Sequence, residues 1–161
     1  CHWSCGVTHS LKNLVGLVPA RFYQTDPRHS HRSGFHGTER EMGTRLPRVI
    51  VDLNRARPVD LALIDGIKTA DGGEGPWVGT LSPLEPGLLL AGKDPVAADA
   101  VATAAMAFDP TEVRAHAPFL QSDNHLNIAH ERGLGTNRLQ EIEVVGLAVQ
   151  DVATTFVPSG R

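Results

Sequence analysis

The stretch from Lys93 to Pro110, KDPVAADAVATAAMAFDP, constrains the fold more than any other part of the chain. Asp94 is suited to a helix N-cap, and Pro95 to the first helical position, where its missing N–H costs nothing. The alanine-rich run that follows, up to Phe108, has strong helix propensity. Asp109-Pro110 then stops it. One residue jars with this reading. Asp99 lies five after Asp94, well inside the helix, which is a poor place for a lone carboxylate. It must either face solvent or pair with a buried base such as Lys93, Lys12 or a histidine.

Short apolar runs lie on both sides of this helix. Residues 59–64 and 87–92 read as buried strands, and 141–147 (EIEVVGL) as a third. Helical spacing appears at positions 7, 11, 14, 15 and 18, ended by Pro19, and a further helix is expected within 39–56. Residues 123–132 form another helix, with Gly133 as its C-terminal stop. A short strand is expected in the tail before Pro158. Between Pro19 and Gly37 the chain is polar and aperiodic, which marks a long loop of functional character. Strands alternating with helices predict an α/β fold, with a mostly parallel sheet flanked by helices. A length of 161 residues suits a single domain, 1–161.

Composition narrows the function. No apolar run reaches 18 residues, so no membrane span is expected. Aromatic residues make up 5% of the chain and the net charge is −3, which argues against a nucleic-acid module built on stacking or bulk positive charge. The charge is uneven. Residues 1–57 hold nine Lys or Arg against four acids, whereas 58–161 hold six against fourteen. A basic segment lying over an anion or an acidic partner would account for this.

Five of the eight histidines (His2, His9, His29, His31, His36) fall in the first 36 residues. If the N-terminus is helical, His2, Cys5, His9 and Asn13 share one face, with Lys12 beside it. Imidazoles and thiols are ligands for a soft or divalent metal ion. A lysine and an amide beside them suit a carboxylate or phosphate. Asp65 ends a predicted strand, where α/β sheets bind ligands. The DGGEGPWVG loop at 71–79 offers Gly73 and Gly75 for close backbone approach and Asp71 and Glu74 as ligands. That loop lacks the lysine and the spacing of a nucleotide-binding fingerprint. His125 and His130 do not form a His-Glu-x-x-His zinc pattern. Ser10 lacks a nucleophile elbow, and nothing marks an oxyanion site beside Cys1 or Cys5.

The order GVTHSLKNLVGLVP, a His-bearing loop, VDL, LALIDGI, GGEGPWVG, AGKDPVAADAVA, ERGLG and IEVVG resembles the domain-of-unknown-function family 362 across nearly the whole chain. His2 matches the histidine of the family's Lys-x-His. The resemblance implies that these residues form the C-terminal part of a larger domain. Some members carry ferredoxin-like iron–sulfur cysteines and some a twin-arginine export signal; neither motif occurs in this sequence, so iron–sulfur association and export are expectations from the resemblance alone.

The site residues expected from all this are His2, Lys12 and Asp65 as catalytic groups, and Asn13, Gly73, Gly75 and Asp99 as ligand-binding groups. His2, Cys5, His9 and His36 are the expected holders of a divalent metal ion. The expected function is a metal- or cofactor-dependent enzyme performing acid–base or redox chemistry on a small anionic substrate. The alternatives are an electron-transfer or partner-binding module serving an iron–sulfur or cytochrome protein, and a structural subunit of a larger assembly.

Overall fold

The computed structural model describes residues 1–23, 33–37, 41 and 43–159. The predicted alanine-rich helix is present as Pro95–Ala105, here α4. Asp94 caps it as expected, accepting the backbone N–H of Val96 at 2.8 Å and of Ala97 at 3.0 Å. Val96, Ala98, Asp99, Ala100, Val101, Ala102, Thr103 and Ala105 are all buried, so α4 is a central strut.

Among the described residues there are five further α-helices. They are α1 (Ser10–Asn13), α2 (Ser33–His36), α3 (Arg45–Ala56), α5 (His125–Glu131) and α6 (Val149–Val152). The helix expected over 7–18 is shorter than its spacing suggests: α1 passes into a 3-10 turn, Leu14–Leu17. Residues before Ser10 are not helical, because His2 and Gly6 close a tight turn through two backbone hydrogen bonds of 2.6 and 2.8 Å. Gly6 sits there at φ +71°, and a Cβ on it would come within 2.3 Å of the Phe119 ring. Only glycine fits. α5 begins where predicted, with Asn124 accepting from Leu126 N–H at 2.8 Å, and Gly133 follows at φ +72°.

The sheet departs from expectation. Strands β1 (Ala62–Gly66) and β4 (Leu88–Gly92) pair antiparallel, from Ala62 opposite Gly92 to Gly66 opposite Leu88. Between them β2 (Thr69–Asp71) pairs antiparallel with β3 (Ser82–Leu84). Among the described residues both sheets are two-stranded, and no parallel pairing occurs. A parallel pair needs a crossover, usually a helix. Residues 67–87 contain no helix, so the chain doubles back as one hairpin nested in another. The α/β expectation therefore reduces to a mixed fold of helices with small antiparallel sheets. The predicted third strand, 141–147, is a short 3-10 turn (Leu139–Glu141) followed by unpaired, exposed chain. The tail begins with α6 and then runs extended, donating from Thr154 to Ala105 O and from Phe156 to Met106 O.

One core cluster holds the helices together. Val7, Leu11 and Val15 from the N-terminal segment meet Leu46, Ile50 and Val51 of α3, Val96 of α4, and Phe119, Leu126 and Ala129. Burying each large aliphatic side chain stabilises by about 1.5–3 kcal/mol. Asn54, on the buried face of α3, donates to Leu11 O at 2.8 Å and to Ile50 O at 2.9 Å, which ties α1 to α3.

Candidate functional site

Asp99 settles the question its sequence position raises. It is fully buried, yet it neither faces solvent nor meets Lys93, Lys12 or a histidine. Its Oδ1 accepts from the backbone N–H of Ser10 at 2.9 Å and from the Ser10 hydroxyl at 2.5 Å. Its Oδ2 accepts from Leu11 N–H at 3.0 Å. These N–H groups are orphan donors of the first turn of α1. The N-cap residue of α1, His9, makes no capping bond of its own, so Asp99 caps α1 from a distant part of the chain. Burial raises its pKa to about 6, against the pull of the three donors. Asp99, expected as a ligand-binding group, spends both carboxylate oxygens on docking α1.

With α1 pinned, the residues just before and within it converge on α5. Cys5 is fully buried, and burial pushes its thiol pKa up even though Lys12 reaches it with its charge and a hydrogen bond. His125, on the inner face of α5, is fully buried and places its Nδ1 3.2 Å from Cys5 O. A carbonyl can only accept, so Nδ1 carries the proton and Nε2 presents a bare lone pair. That Nε2 is enclosed and has no hydrogen-bond partner. Burial lowers the His125 pKa to about 4; the bond to Cys5 opposes this shift and the charge of Lys12 adds to it. The Nε2 of His9 is likewise enclosed and unpartnered. Its pKa falls to about 3, through burial first, then the amino group of Cys1 and the His125 imidazole. Cys5, His9, Lys12 and His125 thus form one interior polar cluster. Beside it, His9 and Asp65 line a cavity of about 150 Å³, whose walls include Ile64, Leu90, Met106 and Phe156.

Other expected site residues lie elsewhere. His2, Trp3 and His36 stack on one another, with ring centroids 5.7–5.9 Å apart. His2 Nδ1 also lies 3.2 Å from the Ser4 backbone N–H, which donates to it. The common face of His2, Cys5, His9 and Asn13 does not exist, because residues 1–9 are not helical. Asn13 is exposed. Consequently His2, Cys5, His9 and His36 are not gathered as a ligand set, and among the described residues no three His, Cys, Asp or Glu side chains are grouped to hold a metal ion. His29 and His31, in the polar loop, lie outside the described residues. Asp65 is exposed and accepts from Ile67 N–H at 2.9 Å.

The glycine-rich loop serves its own packing. A Cβ on Gly73 would come within 2.6 Å of Val78, and one on Gly75 within 2.4 Å of the Trp77 ring. Asp71 accepts from Val157 N–H at 3.1 Å, and Glu74 from the Ser159 hydroxyl at 3.2 Å, so both carboxylates fasten the C-terminal tail.

Sequence reasoning missed His125. A signal was available. Asn124 caps the helix, and Leu126 and Ala129 mark its apolar side, which puts His125 on the buried border of α5 rather than beside His130 in water.

A mixed helix-and-hairpin fold with buried imidazoles and a buried thiol beside the half-buried Lys12 defines the general class. The family profile described as Domain of unknown function (DUF362) matches residues 1–104, and the chain belongs to that family. No curated protein and no solved structure matches the chain.

Proposed function

We propose that the chain contributes the acid–base site of an enzyme acting on a small anionic substrate. The site is centred on Lys12, His125 and His9. One observation carries the reading: His125 is tied at Nδ1 to a backbone carbonyl and holds a buried, unpartnered Nε2 within electrostatic reach of Lys12. A buried acceptor without a donor costs stability.

The chemistry follows from the electrostatics. In the empty site, burial and the Lys12 charge keep His125 neutral. An anion drawn to Lys12 cancels that charge. The imidazole pKa then rises toward the range where it takes a proton efficiently. Substrate binding arms the base, with Lys12 orienting the anion and His125 Nε2 accepting the proton. Cys5, whose thiol is held protonated, is packing and a weak donor rather than a nucleophile. No grouped ligand set among the described residues supports the metal-dependent half of the expectation, so no step is routed through a metal.

Titration of the full chain with acetate and with inorganic phosphate, followed by imidazole nitrogen NMR, tests this. Saturable movement of the His125 signal, lost in Lys12→Met, is expected. A His125 signal that does not move with either anion, or that moves equally in Lys12→Met, overturns the reading.

A further inference from the structure

His9 belongs to two neighbourhoods. One is the polar cluster, where the His125 imidazole acts on it. The other is the cavity of about 150 Å³, which neither His125 nor Lys12 lines. That cavity lies between the β1–β4 pair and α4. Its deep end is built from buried residues: Ala102 and Ala105 of α4, with Met106 and Phe156. Ile64 of β1 and Leu90 of β4 form the facing wall. Thr8 and Asp65 are the exposed wall residues and mark its mouth.

Volume, hydrogen bonding and charge each restrict what this space can hold. About 150 Å³ between apolar walls is enough for benzene. Water is a poor filling for the deep end, because each molecule needs about two to four polar partners. The side chains there are apolar. The helix-end carbonyls are already in use: Ala102 O accepts from Met106 N–H and Ala105 O from Thr154 N–H. The one enclosed polar atom without a partner is His9 Nε2. A hydroxyl both donates and accepts, so it completes Nε2 in either neutral tautomer. Among the described residues no Lys or Arg side chain lines the cavity, and burial lowers the pKa of the Cys1 amino group. His9 is neutral, with its pKa at about 3. An anion would be desolvated there without a counter-charge, and Asp65 would repel it. Thioether and ring side chains such as Met106 and Phe156 make favourable contacts with an aromatic ring.

We propose that this cavity binds a small, uncharged phenol, with the ring between the β1–β4 pair and α4 and the hydroxyl hydrogen-bonded to His9 Nε2. The cavity shares His9 with the acid–base site but not Lys12, so the proposal does not rest on anion binding.

The probes are phenol, toluene and benzoate, each added to the full chain at pH 8. Phenol, with a pKa of about 10, is uncharged there. The His9 ring nitrogens and the Met106 methyl group are followed by NMR. Phenol is expected to move both signals saturably, with a dissociation constant of about 1 mM or tighter. Toluene keeps the ring and loses the hydroxyl. The ratio of phenol to toluene affinity, read at Met106, is expected to fall about tenfold in His9→Phe, which keeps a ring and removes Nε2. Phenol binding is expected to persist in Lys12→Met, the variant that abolishes the anion response of His125. Absence of saturable movement with phenol overturns the proposal. An unchanged phenol-to-toluene ratio in His9→Phe also overturns it, because the cavity then reads apolar surface only. So does benzoate binding tighter than phenol, or loss of phenol binding in Lys12→Met, either of which would make the cavity part of the anion site.

Discussion

Two buried polar groups lie within the same helical packing and are treated in opposite ways. The Asp99 carboxylate has three donors, from Ser10 and Leu11. The His125 imidazole has one partner, at Nδ1, and an empty Nε2. Both are buried, both have displaced pKa values, and both come from helices packed on the N-terminal segment. The satisfied group docks α1; the unsatisfied one is the group on which the proposed acid–base role rests. A displaced pKa alone does not separate structural from functional residues. The number of filled hydrogen-bonding positions is where Asp99 and His125 differ.

The comparison breaks first at Asp99. Asp99→Ala leaves two backbone N–H groups and a hydroxyl without acceptors, and is expected to destabilise by at least about 3 kcal/mol. Chemical denaturation checks this. A loss below ~1 kcal/mol would mean that α1 docks without its remote cap.

Acid comes next. His125 has a folded pKa near 4, below its usual 6.5, so the unfolded chain binds its proton first. The stability it supports is complete above pH 6.5 and falls as pH drops toward 4, by about 3 kcal/mol. His9 acts in the same direction. Asp99 acts oppositely, because its folded pKa is raised from 3.8 to about 6, and it stabilises progressively as pH falls through that interval. The slope of stability against pH between 6.5 and 4 is therefore expected to flatten in His125→Phe and to steepen in Asp99→Asn. Identical slopes in the two variants would erase the contrast drawn above.

Smaller effects sharpen it. Asn54→Ala removes the two bonds between α3 and the Leu11 and Ile50 carbonyls, and is expected to cost about 2 kcal/mol while leaving anion binding at Lys12 in place. Loss of anion binding beyond that expected from unfolding would make Asn54 part of the site. Val145→Lys should change the stability of the chain alone by less than about 0.5 kcal/mol, since Val145 is 88% exposed. A larger change, measured by thermal melting, would place that segment in the monomer's own packing.

The sequence alone was enough for features governed by local chemistry. The cap and proline start of α4, the glycine stop of α5 and the extent of β4 were legible, whereas β1 begins three residues later than the 59–64 expected. Each depends on neighbours within a few residues. Partners were not legible. The spacing of His2, Cys5, His9 and Asn13 would define one face only if the backbone there were helical, and the Gly6 turn against Phe119 prevents that. Direction of the sheet depended on what joins β1 to β4, and apolar runs read alike in parallel and antiparallel pairs.

Composition and local pattern thus determined where α4 begins and where α5 stops, that a carboxylate lies deep in an alanine-rich helix, and the family to which the chain belongs. Only the tertiary structure decided which donors that carboxylate meets, that the Lys12 charge acts on His125, and that residues 141–147 join no strand ladder among the described residues. The reason is physical. Capping and propensity act over a single turn of chain. A hydrogen bond between Asp99 and Ser10 joins positions 89 residues apart, and nothing local records it.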